Sequence, residues 1–197
     1  MSLLLETIKI QDSEYQNLEY HNARMNRSRK ILLSCTEHID LQEVLPKLKL
    51  TKDQIYKCRI LYDYKINKID IQSYRLKIVR SLKVIESSTI DYSHKFADRQ
   101  MIEDLKRNVE EDDILIVKNG YITDTSYANI IFREGEQWIT PATPLLRGTK
   151  REKLLRENKI IEQIITVSDL KKYSEARLIN AMLDIENSVP IPIMNII

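Results

Sequence analysis

Runs of branched and aromatic residues predict several strands in the first half of the chain. Residues 3–10 (LLLETIKI) form one such run, and residues 64–78 and 81–90 continue in the same style. The alternation is clearest at residues 55–63, where one face carries Tyr56, Cys58, Ile60 and Tyr62. Helical spacing predicts a helix over residues 20–34 that can begin at Asn22.

The second half of the chain carries the stronger turn signals. Residues 112–124 (DDILIVKNGYITD) predict a buried apolar strand, a turn at Asn119-Gly120 and a second strand. Gly135 turns a further hairpin, and a charged amphipathic helix begins at Gly148-Thr149. These signals place two hairpins ahead of a helix.

The remaining elements are shorter. Asp98 can cap a helix ahead of the first hairpin, residues 160–167 are predicted to be a strand, and Ser168 caps a short helix after it. Residues 177–183 and 189–197 are predicted to be terminal strands.

The order of strands and helices indicates an α/β (α+β) fold. A change of composition near residues 91–98 divides the chain into two small domains, 1–93 and 94–197.

Composition and charge narrow the classes of partner. The chain has 197 residues, of which 43% are hydrophobic and 30% charged, as in an ordinary globular protein. The net charge of +2 comes from interspersed basic and acidic residues, and the pI of about 8.4 is below the range typical of nucleic-acid-binding domains. We therefore expect no nucleic-acid partner, whereas small anionic ligands stay possible.

The sequence carries no membrane, secretion or metal signal. No apolar run approaches the roughly 18 residues that a membrane span needs, and the opening run is closed by Glu6. Cys35 and Cys58 show no disulfide pattern, which favours the cytoplasm. Cys35 and His38 lie three apart, but a zinc site needs further ligands, so we expect no metal.

Glycine usage excludes the familiar phosphate-binding loops. The only glycines are Gly120, Gly135 and Gly148, so neither a dinucleotide fingerprint nor a P-loop can form. A phosphate held by this chain must be bound by other groups.

Four separated motifs carry a family resemblance. The first is His21-x-x-Arg24 with Ser28, and the second is Lys95 in HKFADR. The other two motifs, in residues 122–132 and 138–155, contain Asp124, Asn129, Thr140-Pro141 and Gly148-Thr149-Lys150-Arg151. In this order they resemble the class IV aminotransferases, which include branched-chain and D-amino acid aminotransferases and 4-amino-4-deoxychorismate lyase. The resemblance implies the D-amino acid aminotransferase-like fold type IV and pyridoxal 5′-phosphate (PLP) as cofactor.

The resemblance also implies roles for individual residues. Lys95 is the catalytic lysine that condenses with the cofactor aldehyde and then moves a proton, although taken alone it could be one more solvated lysine. Asp124 takes the position of the carboxylate that keeps the pyridine nitrogen protonated, which is usually Glu in the family. Asn129 belongs to the same cofactor-binding set.

The phosphate is assigned to two further motifs. Arg24 lies at the family's phosphate-binding arginine position and supplies a fork of donors. Gly148, Thr149 and Lys150 lie where a loop enters a helix, so their backbone N–H groups favour an anion. The family more often reads Gly-Ile-Thr-Arg here, so the backbone is a better candidate than the Thr149 hydroxyl.

Residues that bind the substrate follow only from chemistry. Arg59, Tyr62 and Arg75 lie on predicted strands of the first half and could bind a substrate carboxylate. Ordinary surface charge is the alternative for the two arginines.

The short chain favours an enzyme like 4-amino-4-deoxychorismate lyase, which yields pyruvate and p-aminobenzoate, a folate precursor. A class IV aminotransferase and a catalytically silent member of the fold are the alternatives. The departures at Asp124 and at Thr149-Lys150 would support the silent member. The resemblance further implies a small amino-acid-like substrate and a homodimer.

Overall fold

A computed structural model of the chain describes residues 3–51 and 54–197. Met1 and Ser2, which begin the opening apolar run, lie outside the described residues, as do residues 52 and 53. The chain divides into two compact units. The first unit extends to Leu76 and includes His94–Asp98, and the second consists of Lys77–Ser93 and Arg99–Ile197. After residue 93 the chain passes from the second unit back to the first, at the same point as the predicted domain boundary. The predicted domains themselves, 1–93 and 94–197, stay a prediction.

The first unit is built on a four-stranded antiparallel sheet in the order β2-β1-β3-β4. Its elements are β1 (Leu4–Gln11), β2 (Glu14–Tyr15), α1 (Leu18–Leu33), α2 (Leu41–Val44), β3 (Tyr56–Tyr62) and β4 (Ile66–Ser73). The face predicted for residues 55–63 is confirmed at Cys58, Ile60 and Tyr62, which are buried in one apolar cluster. Met25 of α1 packs in the same cluster and holds the helix against the sheet.

The second unit is built on a mixed sheet in the order β10-β9-β8-β7-β6-β5, with β11 paired to β8 and to β12. Its elements are β5 (Leu82–Glu86), α3 (Gln100–Lys106), β6 (Asp113–Lys118), β7 (Tyr121–Thr125), β8 (Asn129–Glu134), β9 (Gln137–Pro141), α4 (Thr149–Arg156), β10 (Ile161–Gln163), β11 (Glu175–Ile179) and β12 (Ile191–Pro192). The pairs β5/β6 and β9/β10 are parallel, and the other pairs are antiparallel.

Both predicted hairpins are confirmed. Strands β6 and β7 meet at Asn119 and Gly120, whose φ angles of 52° and 80° are those that a two-residue hairpin turn with the twist of its strands requires. Gly135 lies in the turn between β8 and β9. The hairpin places Asp124 on β7, directly opposite Asn129 of β8.

Two helices begin at other residues than predicted. Helix α1 begins at Leu18, not Asn22, because Asn17 adopts the left-handed conformation (φ 56°) and turns the chain into the helix a turn earlier. Helix α3 begins at Gln100, so its N-cap position is Arg99, one residue after the predicted Asp98, and Arg99 makes no side-chain cap.

The strand predicted for residues 160–167 is wrong over most of its length. Pairing is limited to β10, at the edge of the sheet, whose three side chains are exposed, and to an isolated bridge between Thr166 and Tyr121. The following 3₁₀ helix (Val167–Lys172) is capped by Thr166 together with Asp169, and not by Ser168. None of the helices in the described parts of the chain is long and apolar enough to span a membrane.

Candidate active site

A buried carboxylate on β1 organises a polar cluster in the first unit. Glu6 has no exposed surface and lies among apolar neighbours of its strand. His21 and Arg24, one turn apart on α1, both bind it. His21 Nδ1 lies 2.6 Å from Glu6 Oε2, Arg24 Nε donates to Oε1 at 2.9 Å and Arg24 Nη2 donates to Oε2 at 2.5 Å. The guanidinium and the carboxylate therefore form a bidentate ion pair, the strongest form of this contact.

The electrostatics of this cluster fix its protonation. Burial alone would raise the pKa of Glu6, but the charge of Arg24 and the hydrogen bonds from His21 and Arg24 lower it to about 2. Burial lowers the pKa of His21 despite the opposing effect of Glu6, and the charges of Arg24 and Lys95 lower it further. At neutral pH, Glu6 is charged and His21 is neutral, so His21 donates from Nδ1.

Lys95 lies beside this cluster, on the segment that returns to the first unit. Leu5 N donates to Lys95 O at 2.9 Å, and Ala97 N donates to Leu3 O at 2.8 Å. These bonds hold the segment along β1, one residue from Glu6. Lys95 itself is half-buried, and its charge acts on His21. Lys95 and Arg24, two predicted site residues, thus lie in the same unit, and the charges of both act on His21.

The second unit holds Asp124 in a closed set of hydrogen bonds. Asp124 and Asn129 are the paired residues of β7 and β8. Asn129 Nδ2 donates to Asp124 Oδ1 at 2.7 Å and to Leu146 O at 2.9 Å, and Leu146 N donates to Asp124 Oδ2 at 2.9 Å. The two side chains therefore tie the strand pair to the loop that leads into α4.

The buried position of Asp124 makes the charged form of its carboxyl group unfavourable. Burial raises its pKa to about 6, although the hydrogen bonds from Leu146 N and Asn129 and the charge of Arg151 oppose the shift. Each carboxylate oxygen can accept a second hydrogen bond. A cationic N–H donor would therefore bind Asp124 and hold it in its charged form.

Gly148 allows α4 to begin close to Asn129. A Cβ built on Gly148 would lie 2.0 Å from Asn129 Oδ1, so no larger residue fits without displacing the amide. Thr149 and Lys150, the first residues of α4, are buried, and Lys150 forms an ion pair with Asp184. In the first turn of a helix, the backbone N–H groups have no acceptor within the helix and attract anions.

The predicted substrate residues lie in three different settings. Arg59 is half-buried on β3, opposite Asp70 of β4. Tyr62 is a core residue without exposed surface, and burial raises its pKa. Arg75 is exposed and follows β4, so its placement on a strand is wrong: the pairing of β4 ends at Ser73.

Comparison with known proteins defines the family. The chain belongs to the amino-transferase class IV family, whose model matches residues 3–186. Class IV aminotransferases are PLP-dependent enzymes, so the expected class, fold type and cofactor are confirmed.

Two relatives from Haemophilus cover nearly the whole chain. An uncharacterised protein of Haemophilus influenzae is 38% identical over 182 residues, which is 91% of this chain and 97% of that protein. The crystal structure of a proposed 4-amino-4-deoxychorismate lyase from Haemophilus somnus is 38% identical, with a TM-score of 0.87 over 92% of this chain and 97% of the other.

A more distant structure shares the fold alone. The structure described as a hypothetical aminotransferase from Mycobacterium tuberculosis, in a PLP-bound form, has a TM-score of 0.71 and 14% identity over 96% of this chain and 80% of the other.

The residues present fit the requirements of PLP. In the first unit, Arg24 offers a guanidinium for a phosphate, and Lys95 offers an amine. In the second unit, Asp124 can bind a pyridinium, and Gly148 leaves room for the Asn129 amide beside the first turn of α4. In residues 3–51 and 54–197, no three metal-ligating side chains come together.

Glu6 is the residue of this polar cluster that sequence reasoning missed. Its signal was present, because a carboxylate in the middle of the apolar run LLLETIKI must be paired if the strand is buried. The partners lie 15 and 18 residues away on another element, which no local pattern reveals.

Proposed function

We propose that this class IV PLP enzyme is a 4-amino-4-deoxychorismate lyase. The observation that carries the proposal is the 38% identity, over nearly the full length of both chains, to the Haemophilus somnus protein that is proposed to have this activity. The C–H bond beside the substrate amine breaks first, and the C–O bond at the neighbouring carbon follows. Enolpyruvate leaves and takes up a proton to become pyruvate, while the ring becomes aromatic as p-aminobenzoate.

Lys95 is proposed as the catalytic residue. When bound, PLP supplies the sink for the electron pair left by the broken C–H bond. Lys95 would attach the cofactor through its amine and, once released by the substrate amine, accept the proton at Nζ. Lys95 is half-buried, and its charge acts on His21, which lies one turn from Arg24 on α1. To accept a proton, Lys95 must be in its neutral amine form.

The other predicted residues are proposed to hold the cofactor. Arg24 would bind the phosphate with its guanidinium, and the backbone of Gly148, Thr149 and Lys150 would bind it with N–H groups. Asp124 would accept the pyridinium N–H, with Asn129 fixing the orientation of its carboxylate.

Arg59 is the strongest of the three proposed substrate residues. It is half-buried on β3, whereas Tyr62 is enclosed in the core and Arg75 is exposed. We propose that Arg59 binds a substrate carboxylate, with Tyr62 and Arg75 as weaker candidates. A homodimer in the cytoplasm, acting in folate biosynthesis, completes the proposal.

The direct test supplies 4-amino-4-deoxychorismate to the PLP-loaded protein without a keto acid. We expect pyruvate and p-aminobenzoate in equal amounts, and neither product from Lys95→Ala. Conversion of the cofactor to its amine form by a D- or branched-chain amino acid, with no pyruvate from aminodeoxychorismate, would identify an aminotransferase instead. Protein that binds PLP but transforms neither substrate would support a catalytically silent member.

A further inference from the structure

We infer that Glu6 is a positioning residue, which fixes the Arg24 guanidinium so that the site prefers phosphorylated over unphosphorylated pyridoxal. The inference rests on the proposed role of Arg24 in binding the phosphate. It assigns a function to a carboxylate that the sequence motifs leave without one.

The geometry of the guanidinium carries the argument. A guanidinium has five N–H groups in one plane. Glu6 binds the edge formed by Nε and Nη2, at 2.9 and 2.5 Å. The remaining edge, formed by Nη1 and Nη2, is thereby directed away from the carboxylate. Two bonds to Glu6 fix the plane of the guanidinium, so a phosphate bound by Arg24 would meet donors that are already oriented.

His21 makes the carboxylate itself immobile. It lies one turn before Arg24 on α1 and approaches the same oxygen that Arg24 Nη2 binds. Glu6, His21 and Arg24 are at most 6% exposed, so water does not compete for these bonds. The backbone of Glu6 is thus held in β1, while its carboxylate is held by two side chains of α1.

Charge and orientation predict opposite effects of removing Glu6. The carboxylate compensates the charge of Arg24, so on charge alone its neutralisation would strengthen binding of a phosphate. If orientation decides, neutralisation weakens binding of the phosphate, because glutamine has one acceptor oxygen and cannot offer Nε and Nη2 of Arg24 an oxygen each. Its amide group would face one of those donors and push the guanidinium out of line.

The test compares the affinities of the cofactor-free protein for PLP and for pyridoxal by equilibrium dialysis. In Glu6→Gln, we expect the preference for PLP over pyridoxal to fall roughly ten- to hundredfold, the worth of a charge-assisted hydrogen bond. Binding of pyridoxal itself should change much less, since it lacks the phosphate. Glu6→Asp keeps the charge but withdraws the carboxylate by one methylene, and the preference should fall there as well. Glu19→Gln, an exposed neutralisation on α1, is the matched control and should leave the preference unchanged.

Each result decides between orientation and its alternatives. A preference that rises in Glu6→Gln, or stays as in the unaltered protein, would overturn the inference while leaving the proposed cofactor site intact. Failure of both Glu6 variants to fold would also overturn it, since Glu6 would then serve the fold. If the unaltered protein bound PLP no better than pyridoxal, the phosphate-binding role of Arg24 would fall first, and the inference with it.

Discussion

Asp124 and Glu6 are buried carboxyl groups in opposite electrostatic situations. Glu6 faces a guanidinium, so its charge is stabilised in the folded chain. Asp124 accepts hydrogen bonds from a neutral amide and a backbone N–H, which do not compensate the loss of water. The contrast gives each group its own effect on stability as the pH changes.

Asp124 should make the cofactor-free protein less stable as the pH rises from about 4 to about 6. Its pKa of about 6 lies above the ordinary value of 3.8, so the folded chain binds the proton more tightly in this window. The loss of unfolding free energy across the window is on the order of 3 kcal/mol. Urea unfolding at three pH values measures it, with the non-titrating Asp124→Asn as reference. A constant difference between the two proteins would contradict the expected titration.

Glu6 should act in the opposite direction at lower pH. Its pKa of about 2 lies below the ordinary value of 4.5, so its stabilising effect is complete above 4.5 and is lost as the pH falls towards 2. The difference in unfolding free energy between the unaltered protein and Glu6→Gln should therefore shrink between pH 5 and 2.5, by about 3 kcal/mol at most. If the difference stays the same, the ion pair with Arg24 does not hold the charge of Glu6.

At the scale of elements, Asn129 joins the strand pair β7–β8 to the start of α4. Gly148→Ala should cost about 2 kcal/mol or more, because the new Cβ displaces the amide from Asp124 and Leu146. In an Asn129→Ala background, the clash is gone and the same change should cost about 1 kcal/mol or less. A double-mutant cycle on unfolding free energies measures this coupling.

Gly120→Ala supplies the control for that cycle. Gly120 has φ +80° and nothing within 4 Å of a built Cβ, so its substitution strains only the local backbone. Its cost of roughly 1 kcal/mol should be the same with and without Asn129. Equal costs of Gly148→Ala in both backgrounds would show that Asn129 does not require the glycine.

Local patterns predicted those elements whose causes are local. Asn119-Gly120 fixes its own turn, and the alternation around Cys58 and Ile60 follows from a strand with one buried face. Residues 160–167 failed because an apolar run alone does not distinguish a strand from a loop whose Ile165 fills the core. Glu6 escaped notice because its partners are remote in sequence.

At the scale of the whole molecule, the order of the motifs carried more information than periodicity. The family matches residues 3–186, so the motifs from Arg24 to Gly148 lie within one family pattern. Periodicity could not reveal that the chain leaves the first unit after Leu76 and returns to it for His94–Asp98. That return is held by backbone bonds to β1, which no side-chain pattern records.

Binding of PLP should stabilise the whole protein. A ligand that binds only the folded chain adds about 2.7 kcal/mol at a hundred times its dissociation constant. We expect PLP to raise the melting temperature of the unaltered protein. The shift should be smaller in Arg24→Lys, which keeps the charge but loses the fork of donors. Equal shifts in the two proteins would argue against Arg24 as the phosphate ligand.

Reduction of the PLP-loaded protein with borohydride tests the central claim most directly. If Lys95 carries the cofactor, the yellow protein loses its colour, and peptide mass analysis finds one phosphopyridoxyl group, on Lys95. Lys95→Ala, treated in the same way, should carry none. A stable phosphopyridoxyl group on another lysine, or none on Lys95 under saturating PLP, would contradict the account.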